Sequence, residues 1–168
     1  MRLIPMSMIS AGKSTLLLFL FLVPCSIQAV GELIVIEGKV IKIKDGDTIE
    51  ILVNNRPLTV RLAHIDCPEK RQPYGNAARQ FIAQKCFGQK VRLISNNKYD
   101  RNKRLIAEVI NEKGENINRE LIKAGLAWHF KKYSSDSSYA SLEETAKAQH
   151  KGLWKDEDAI APWLWRKH

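Results

Sequence analysis

Three cysteines lie at positions 25, 67 and 86 of a 168-residue chain, and no two of them fall at CxxC spacing. The four histidines, His64, His129, His150 and His168, are just as dispersed. A zinc site of paired cysteines and histidines has no support in this pattern, and neither has a Ser-His-Asp triad. Long apolar runs are missing too. The longest, Leu16 to Val23, falls well short of the roughly 20 residues a membrane span needs. Acids are scarce: 18 Asp and Glu face 27 Lys and Arg, for a formal charge of +9. A chain this basic is expected to attract polyanions, with plain solubility as the bland alternative. Gly12-Lys13-Ser14-Thr15 imitates the end of a phosphate loop, but the glycine required five positions earlier is Ser7, and no strand precedes it.

Residues 1–29 read as a secretory signal. Arg2 and Lys13 precede the apolar run, Pro24 and Cys25 follow it, and cleavage is expected after Ala29. A retained anchor, or a lipid at Cys25, is the alternative. The expected mature domain, 30–168, keeps a charge of +7 once Arg2 and Lys13 are removed. It is expected to be secreted or periplasmic, monomeric, and without stable membrane insertion after signal removal. Its two cysteines, Cys67 and Cys86, are open to pairing in an oxidising compartment, and Cys86 equally suits the apolar face of a helix.

Between Leu33 and Ile65 the pattern is one of strands. Leu33–Ile36 and Val40–Lys44 are rich in β-branched residues, with Gly38 between them as a bulge or bend. Ile49, Ile51 and Val53 alternate with neighbours of the opposite face, and Asn54-Asn55 marks a turn. Leu58, Val60 and Leu62 alternate with Thr59 and Arg61, so Arg61 projects away from the apolar face. The period changes near Asn76, where Ala78, Phe81, Ile82 and Cys86 recur at helical spacing before Gly88. Val91–Ile94 and Leu105–Ile110 predict two more strands, joined by a polar loop over 95–103. Asn116 predicts the cap of a second helix, and Ser138 or Ser141 that of a third, ended by Gly152. Pro162-Trp-Leu-Trp165 reads as a surface aromatic clasp. Five short strands with a helix after the third make an α+β fold, mainly β, the most economical architecture: a five-stranded Greek-key OB-fold barrel with three helices, which strand count alone does not single out.

Asp45-Gly46-Asp47-Thr48 followed by Arg61 and by Asp66-Cys67-Pro68-Glu69 concentrates acids and an arginine on strand and turn segments. Asp-Gly alone is an ordinary turn signal. With the second cluster at this spacing, the pattern resembles the staphylococcal nuclease (thermonuclease) family, from about Gly38 to about Trp154. The resemblance implies the same barrel and a calcium site held by Asp47, Asp66 and the main-chain carbonyl of Cys67. A hard cation of this kind wants about 6–8 oxygen ligands, so waters would complete the shell. The resemblance further implies that Glu69 activates the attacking water, and that Arg61 and Arg104 neutralise the phosphate. Two departures stand out. Asn102 and Lys103 occupy positions where the family usually shows tyrosine and glycine, which makes Arg101 an alternative to Arg104. Cys67 stands where threonine is common.

Trp128, His129, Phe130 and Tyr133 interleave with Lys131 and Lys132, a composition suited to base stacking and phosphate neutralisation. Tyr133, Lys131, Lys132 and Arg101 are the expected substrate contacts, with Trp128 and Phe130 open between core and ligand. The activity that the family resemblance implies is calcium-dependent endonucleolytic hydrolysis of single-stranded or locally opened DNA and of RNA, with little sequence specificity and 3′-phosphate ends. The alternative is a catalytically silent nucleic-acid-binding OB-fold module.

Overall fold

A computed structural model describes residues 32–167. The signal reading of residues 1–29, with Cys25, lies outside them. In chain order the elements are β1 (Ile34–Asp45), β2 (Thr48–Val53), β3 (Arg56–Leu62), β4 (Ile65–Asp66), α1 (Gly75–Cys86), β5 (Lys90–Ser95), β6 (Leu105–Ile110), α2 (Ile117–Lys123), β7 (Trp128–His129), α3 (Ser137–Ala148) and α4 (Pro162–Trp165), with a 3₁₀ turn at Gly152–Lys155 before α4.

Five strands close into a barrel in the order β1-β2-β3-β6-β5, and β1 pairs back onto β5. All pairings are antiparallel except β3 with β6, which run parallel with Arg61 opposite Ile106. Closure removes the exposed edges an open sheet would present. The period-2 pattern works as expected on β3: Val60 and Leu62 are buried in the barrel, while Arg61 faces the other way. Val40, Ile49, Ile51, Leu93 and Leu105 fill the same interior. Helix α1 covers it with Ala78, Ile82 and Cys86, and α2 with Ile117 and Leu121. The expected α+β barrel is therefore present, with a fourth, one-turn helix added. Among the described residues no helix is long and apolar enough to cross a membrane.

The structure also adds a second, two-stranded sheet that the sequence pattern did not suggest. It pairs β4 with β7, placing Ile65 opposite His129 and Asp66 opposite Trp128. Two-residue strands have no periodicity to read. This small sheet nevertheless fixes Asp66 at the barrel mouth.

Several local expectations are corrected. Gly38 is not a bulge but pairs in register with Val91, and the irregularities of β1 lie at Val40–Lys42 and Ile43–Asp45. Gly38 is there because a Cβ would come within 2.8 Å of the Leu52 carbonyl oxygen on the next strand. Helix α3 is capped by Asp136, not by Ser138 or Ser141: its carboxylate accepts from the Ser138 amide at 2.8 Å. The helix ends at Ala148, before Gly152. Cys67 and Cys86 are both buried free thiols, so the pairing alternative fails and the core alternative holds. Burial pushes the Cys86 thiol up to about 12 and raises that of Cys67 well above its ordinary value.

A buried polar knot ties β7 to the barrel. Ser134 Oγ lies 2.8 Å from His64 Nδ1 and 3.0 Å from His129 Nε2, and the buried Glu143 accepts from the His129 amide at 2.9 Å. Burial lowers the pKa of His129 below its ordinary 6.5, against the opposing charge of Glu143. The unfolded chain thus takes up this proton before the folded one does. Stability from His129 is complete above about pH 6.5 and falls as pH drops towards the folded pKa, with a slope of at most about 1.4 kcal/mol per pH unit. Urea midpoints between pH 7.5 and 5 should show this slope in the native protein and a shallower one in His129→Gln. Equal slopes would remove His129 as the cause.

Candidate active site

The hairpin joining β1 to β2 carries Asp47. Asp45-Gly46-Asp47 is a tight turn, as Asp-Gly suggests, and it brings the Asp47 carboxylate to the same guanidinium, that of Arg61, as Asp66. Gly46 is buried, and a Cβ there would come within 2.8 Å of Ala78 Cβ on α1. That close approach seats the turn against the helix. Asp47 Oδ2 accepts from the Cys67 amide at 2.9 Å, and its Oδ1 from the Thr48 hydroxyl at 3.1 Å. The Asp47 main chain takes the Leu62 amide at 2.9 Å.

Arg61, on the outward face of β3, lies between the two expected metal-binding acids. Its Nη1 is 2.9 Å from Asp47 Oδ2 and its Nη2 is 2.7 Å from Asp66 Oδ1. Asp66 is 1% exposed. Burial raises its carboxyl above the usual range, outweighing the hydrogen bond from Arg166 and the nearby charge of Arg61. An isolated carboxylate is costly in such a place, and further positive charge would relieve it.

Glu69 stands on the loop between β4 and α1. Its amide donates to Gln72 Oε1 at 3.1 Å, and its carbonyl accepts from the Gln72 amide at 2.8 Å. Helix α1 begins against this loop, and a Cβ at Gly75 would collide with the Glu69 carbonyl. The Glu69 carboxylate meets a residue that motif reasoning missed. Arg166, just beyond α4, places Nη1 at 2.6 Å from Glu69 Oε1 and Nη2 at 2.7 Å from Asp66 Oδ2. No local pattern could reveal this contact, since the partners are 97 and 100 positions apart. Asp45 was likewise passed over. Its carboxylate turns back to accept the Gly46 amide at 2.8 Å, and burial raises its pKa, helped by the charges of Asp47 and Glu69.

Arg104, immediately before β6, reaches the same region. Asp100 grips it: Oδ2 is 2.6 Å from both Nε and Nη2, and Oδ1 accepts the Arg104 amide at 3.0 Å. The far end of the guanidinium donates to Thr48 Oγ1 at 3.2 Å, one residue from Asp47. Arg101 is exposed in the turn, and the contact with Thr48 is made by Arg104. The turn does require a left-handed residue, and Lys103 has φ +59°. A non-glycine residue there costs about 1–2 kcal/mol, part of which glycine returns in chain entropy. Lys103→Gly should therefore raise stability by up to about 1 kcal/mol by urea titration. A loss of stability would show that Lys103 makes contacts worth more than its strain.

Asp47, Arg61, Asp66 and Glu69 thus converge at one barrel mouth, with Arg104 linked through Thr48. Among the described residues no three acidic, histidine or cysteine side chains form a ready-made metal cage. Asp47 and Asp66 provide two buried carboxylates, and the backbone of Cys67 lies beside them. The Cys67 thiol donates to the Gly46 carbonyl at 3.3 Å and its pKa is raised, so it is not a thiolate ligand. An all-oxygen donor set fits a hard cation such as Ca²⁺ and disfavours zinc.

Of the expected substrate contacts, Lys131, Lys132 and Tyr133 lie on the segment after β7, whereas Arg101 is exposed in the turn before β6. Tyr133 is 71% exposed, and Lys132 Nζ sits 5.5 Å from its ring centre. Lys131 is exposed and 3.8 Å from Glu143. Trp128 and Phe130, left open above, belong to an aromatic cluster: Trp163 stacks on Phe130 at 5.3 Å and Trp128 meets Trp154 edge-on at 4.4 Å. The tail clasp is this cluster.

A family model described as staphylococcal nuclease homologue matches residues 59–156. An uncharacterized endonuclease of Escherichia coli is 35% identical over 131 residues, covering 78% of this chain and 85% of its own. One of Haemophilus influenzae is 42% identical over 130 residues, covering 77% and 72%. A micrococcal nuclease of Shigella flexneri is 37% identical over 139 residues, covering 77% and 80%. With barrel, motif spacing and these likenesses in agreement, the chain belongs to the staphylococcal nuclease family.

Proposed function

We propose that this nuclease is a calcium-dependent endonuclease that hydrolyses phosphodiester bonds of DNA and RNA with little sequence specificity and leaves 3′-phosphate ends. The observation that carries the reading is the meeting of Asp47, Arg61, Asp66 and Glu69 at a single mouth. In this reading Asp47 and Asp66, with the Cys67 carbonyl, would hold Ca²⁺, which would supply positive charge at the phosphate and a place for water. Glu69 takes the proton of the attacking water. Arg61 lies between the two carboxylates, so a phosphate drawn to the cation they would hold comes within its reach. Arg104, aimed by Asp100, offers a second planar fork to the phosphate oxygens. Such preset charge counts most as negative charge develops in the transition state.

Tyr133 and its lysine neighbours support contact with unstacked bases and flanking phosphates. Stacking with charge neutralisation is tolerant of sequence and favours single-stranded or opened substrate. The leading residues 1–29 support a secreted or periplasmic location.

A plasmid-nicking assay tests the reading. Nicking should appear with Ca²⁺, vanish with a chelator and return on adding Ca²⁺ back. Product 3′ ends should resist polymerase extension until treated with phosphatase. Chelator-resistant cleavage, or ends that extend at once, would overturn the calcium or the end-group assignment respectively.

A further inference from the structure

Asp66 has both oxygens engaged by guanidinium groups: Arg61 on Oδ1 at 2.7 Å and Arg166 on Oδ2 at 2.7 Å. Arg166 also bridges to Glu69. Each Asp66 oxygen and Glu69 Oε1 thus already faces a guanidinium. A cation that claims these carboxylates competes with the two arginines for them.

The two are held very differently. Arg61 sits on a barrel strand, its side chain 13% exposed and pinned on both sides by Asp47 and Asp66. Arg166 follows a one-turn helix and its side chain is 43% exposed. Its aim depends on how the tail docks. Trp163 stacks on Phe130, and Gln72, which braces the Glu69 loop, donates to the Ile160 carbonyl. Trp165 lines a small cavity of about 70 Å³ together with Pro68, Gln72 and Trp128. The tail therefore lies on the very loop that carries Glu69, and its arginine reaches back over it. Solvent can receive the Arg166 head if it lets go, whereas Arg61 has nowhere comparable to turn.

We propose that Arg166 is a built-in counter-ion that occupies the carboxylates of Asp66 and Glu69 and is displaced when a divalent cation binds, so that the tail sets the cation concentration at which the site becomes competent. This rests on the calcium reading given above. Displacement frees Glu69 for water and releases a guanidinium close to the site, where a phosphate is an equivalent partner. Cation and nucleic acid then help each other bind, each by relieving the other's competitor.

Calorimetric titration of calcium into the full chain, without nucleic acid, tests the proposal on native protein and on Arg166→Gln. The variant should bind Ca²⁺ about tenfold more tightly, in the range of ordinary coupling between sites. Arg166→Lys keeps the charge but loses the fork. It should fall between the two and serves if the glutamine variant does not fold. Asp66→Asn should abolish binding in every background. Affinity in Arg166→Gln equal to or weaker than native overturns the counter-ion role while leaving calcium binding in place. Absence of calcium binding in native and variant alike overturns the calcium reading, and the counter-ion with it.

Discussion

Replacing Glu69 with serine is expected to slow hydrolysis by about 10²–10⁴-fold, the usual worth of a positioned general base. Binding of a labelled single-stranded oligonucleotide, read by fluorescence anisotropy, should stay within a few-fold of native. The fold should barely notice. Glu69 is one-third exposed, and among the described residues it pairs only with Arg166, itself 43% exposed; pairs this open to solvent contribute about 0–1 kcal/mol. The backbone of the loop is braced separately, by the two hydrogen bonds between Glu69 and Gln72 and by the packing of Gly75, none of which uses the carboxylate. A rate loss with stability and binding preserved therefore isolates chemistry. Glu69→Gln refines the test, because it keeps shape and a hydrogen-bond acceptor but cannot take a proton. Undiminished cleavage by either variant would remove Glu69 from the reaction and with it the proposed mechanism.

The acids and Arg61 were legible because the chain presents them close together, on strands and turns whose period-2 pattern also tells which face each residue takes. Asp45-Gly46-Asp47 and Asp66-Cys67-Pro68-Glu69 are local signals, and the β3 alternation put Arg61 on the outward face. The strands were legible for the same reason, since apolar alternation on Ile49–Val53 and Leu58–Leu62 needs only neighbours to be read, while their closure into this barrel rested on the family resemblance. What escaped is non-local or too short to have a period. The parallel pairing of β3 with β6 joins segments over forty residues apart, and β4 and β7 are two residues each. Arg166 is a single charge in a tail whose aromatic neighbours dominate the pattern. The cap of α3 was misplaced because serines at 137, 138 and 141 compete with Asp136 in sequence. The carboxylate wins, accepting both the amide and the hydroxyl of Ser138. Gly38 misled for a different reason: it answers to crowding across the barrel, which sequence distance hides.

Arg61→Gln is expected to cost about 3–5 kcal/mol of folding stability, the largest effect of any surface-facing substitution proposed for this chain. The argument is one of uncompensated charge. Arg61 spans Asp47 and Asp66, whose side chains are 9% and 1% exposed, and its own is 13% exposed. Solvent screening is weak there, so removing the guanidinium leaves two enclosed carboxylates facing each other. Arg166 compensates Asp66 in part but makes no contact with Asp47. Arg61→Lys keeps the charge without the two-pronged geometry and should lose less. The double variant Arg61→Gln with Asp66→Asn should recover part of the loss, because the residue left unpaired is no longer charged; the two changes should be non-additive by about 1–3 kcal/mol. Calcium should stabilise Arg61→Gln more than native protein, since it meets carboxylates with less compensation, and binding to the folded state alone raises its stability by mass action. Guanidinium titrations with and without calcium measure all three comparisons. A cost for Arg61→Gln below about 1 kcal/mol, or strict additivity with Asp66→Asn, would mean that water already compensates these acids. The mouth of the barrel would then be wetter than its burial indicates, and the case for a cation drawn in by enclosed charge would lose its physical basis.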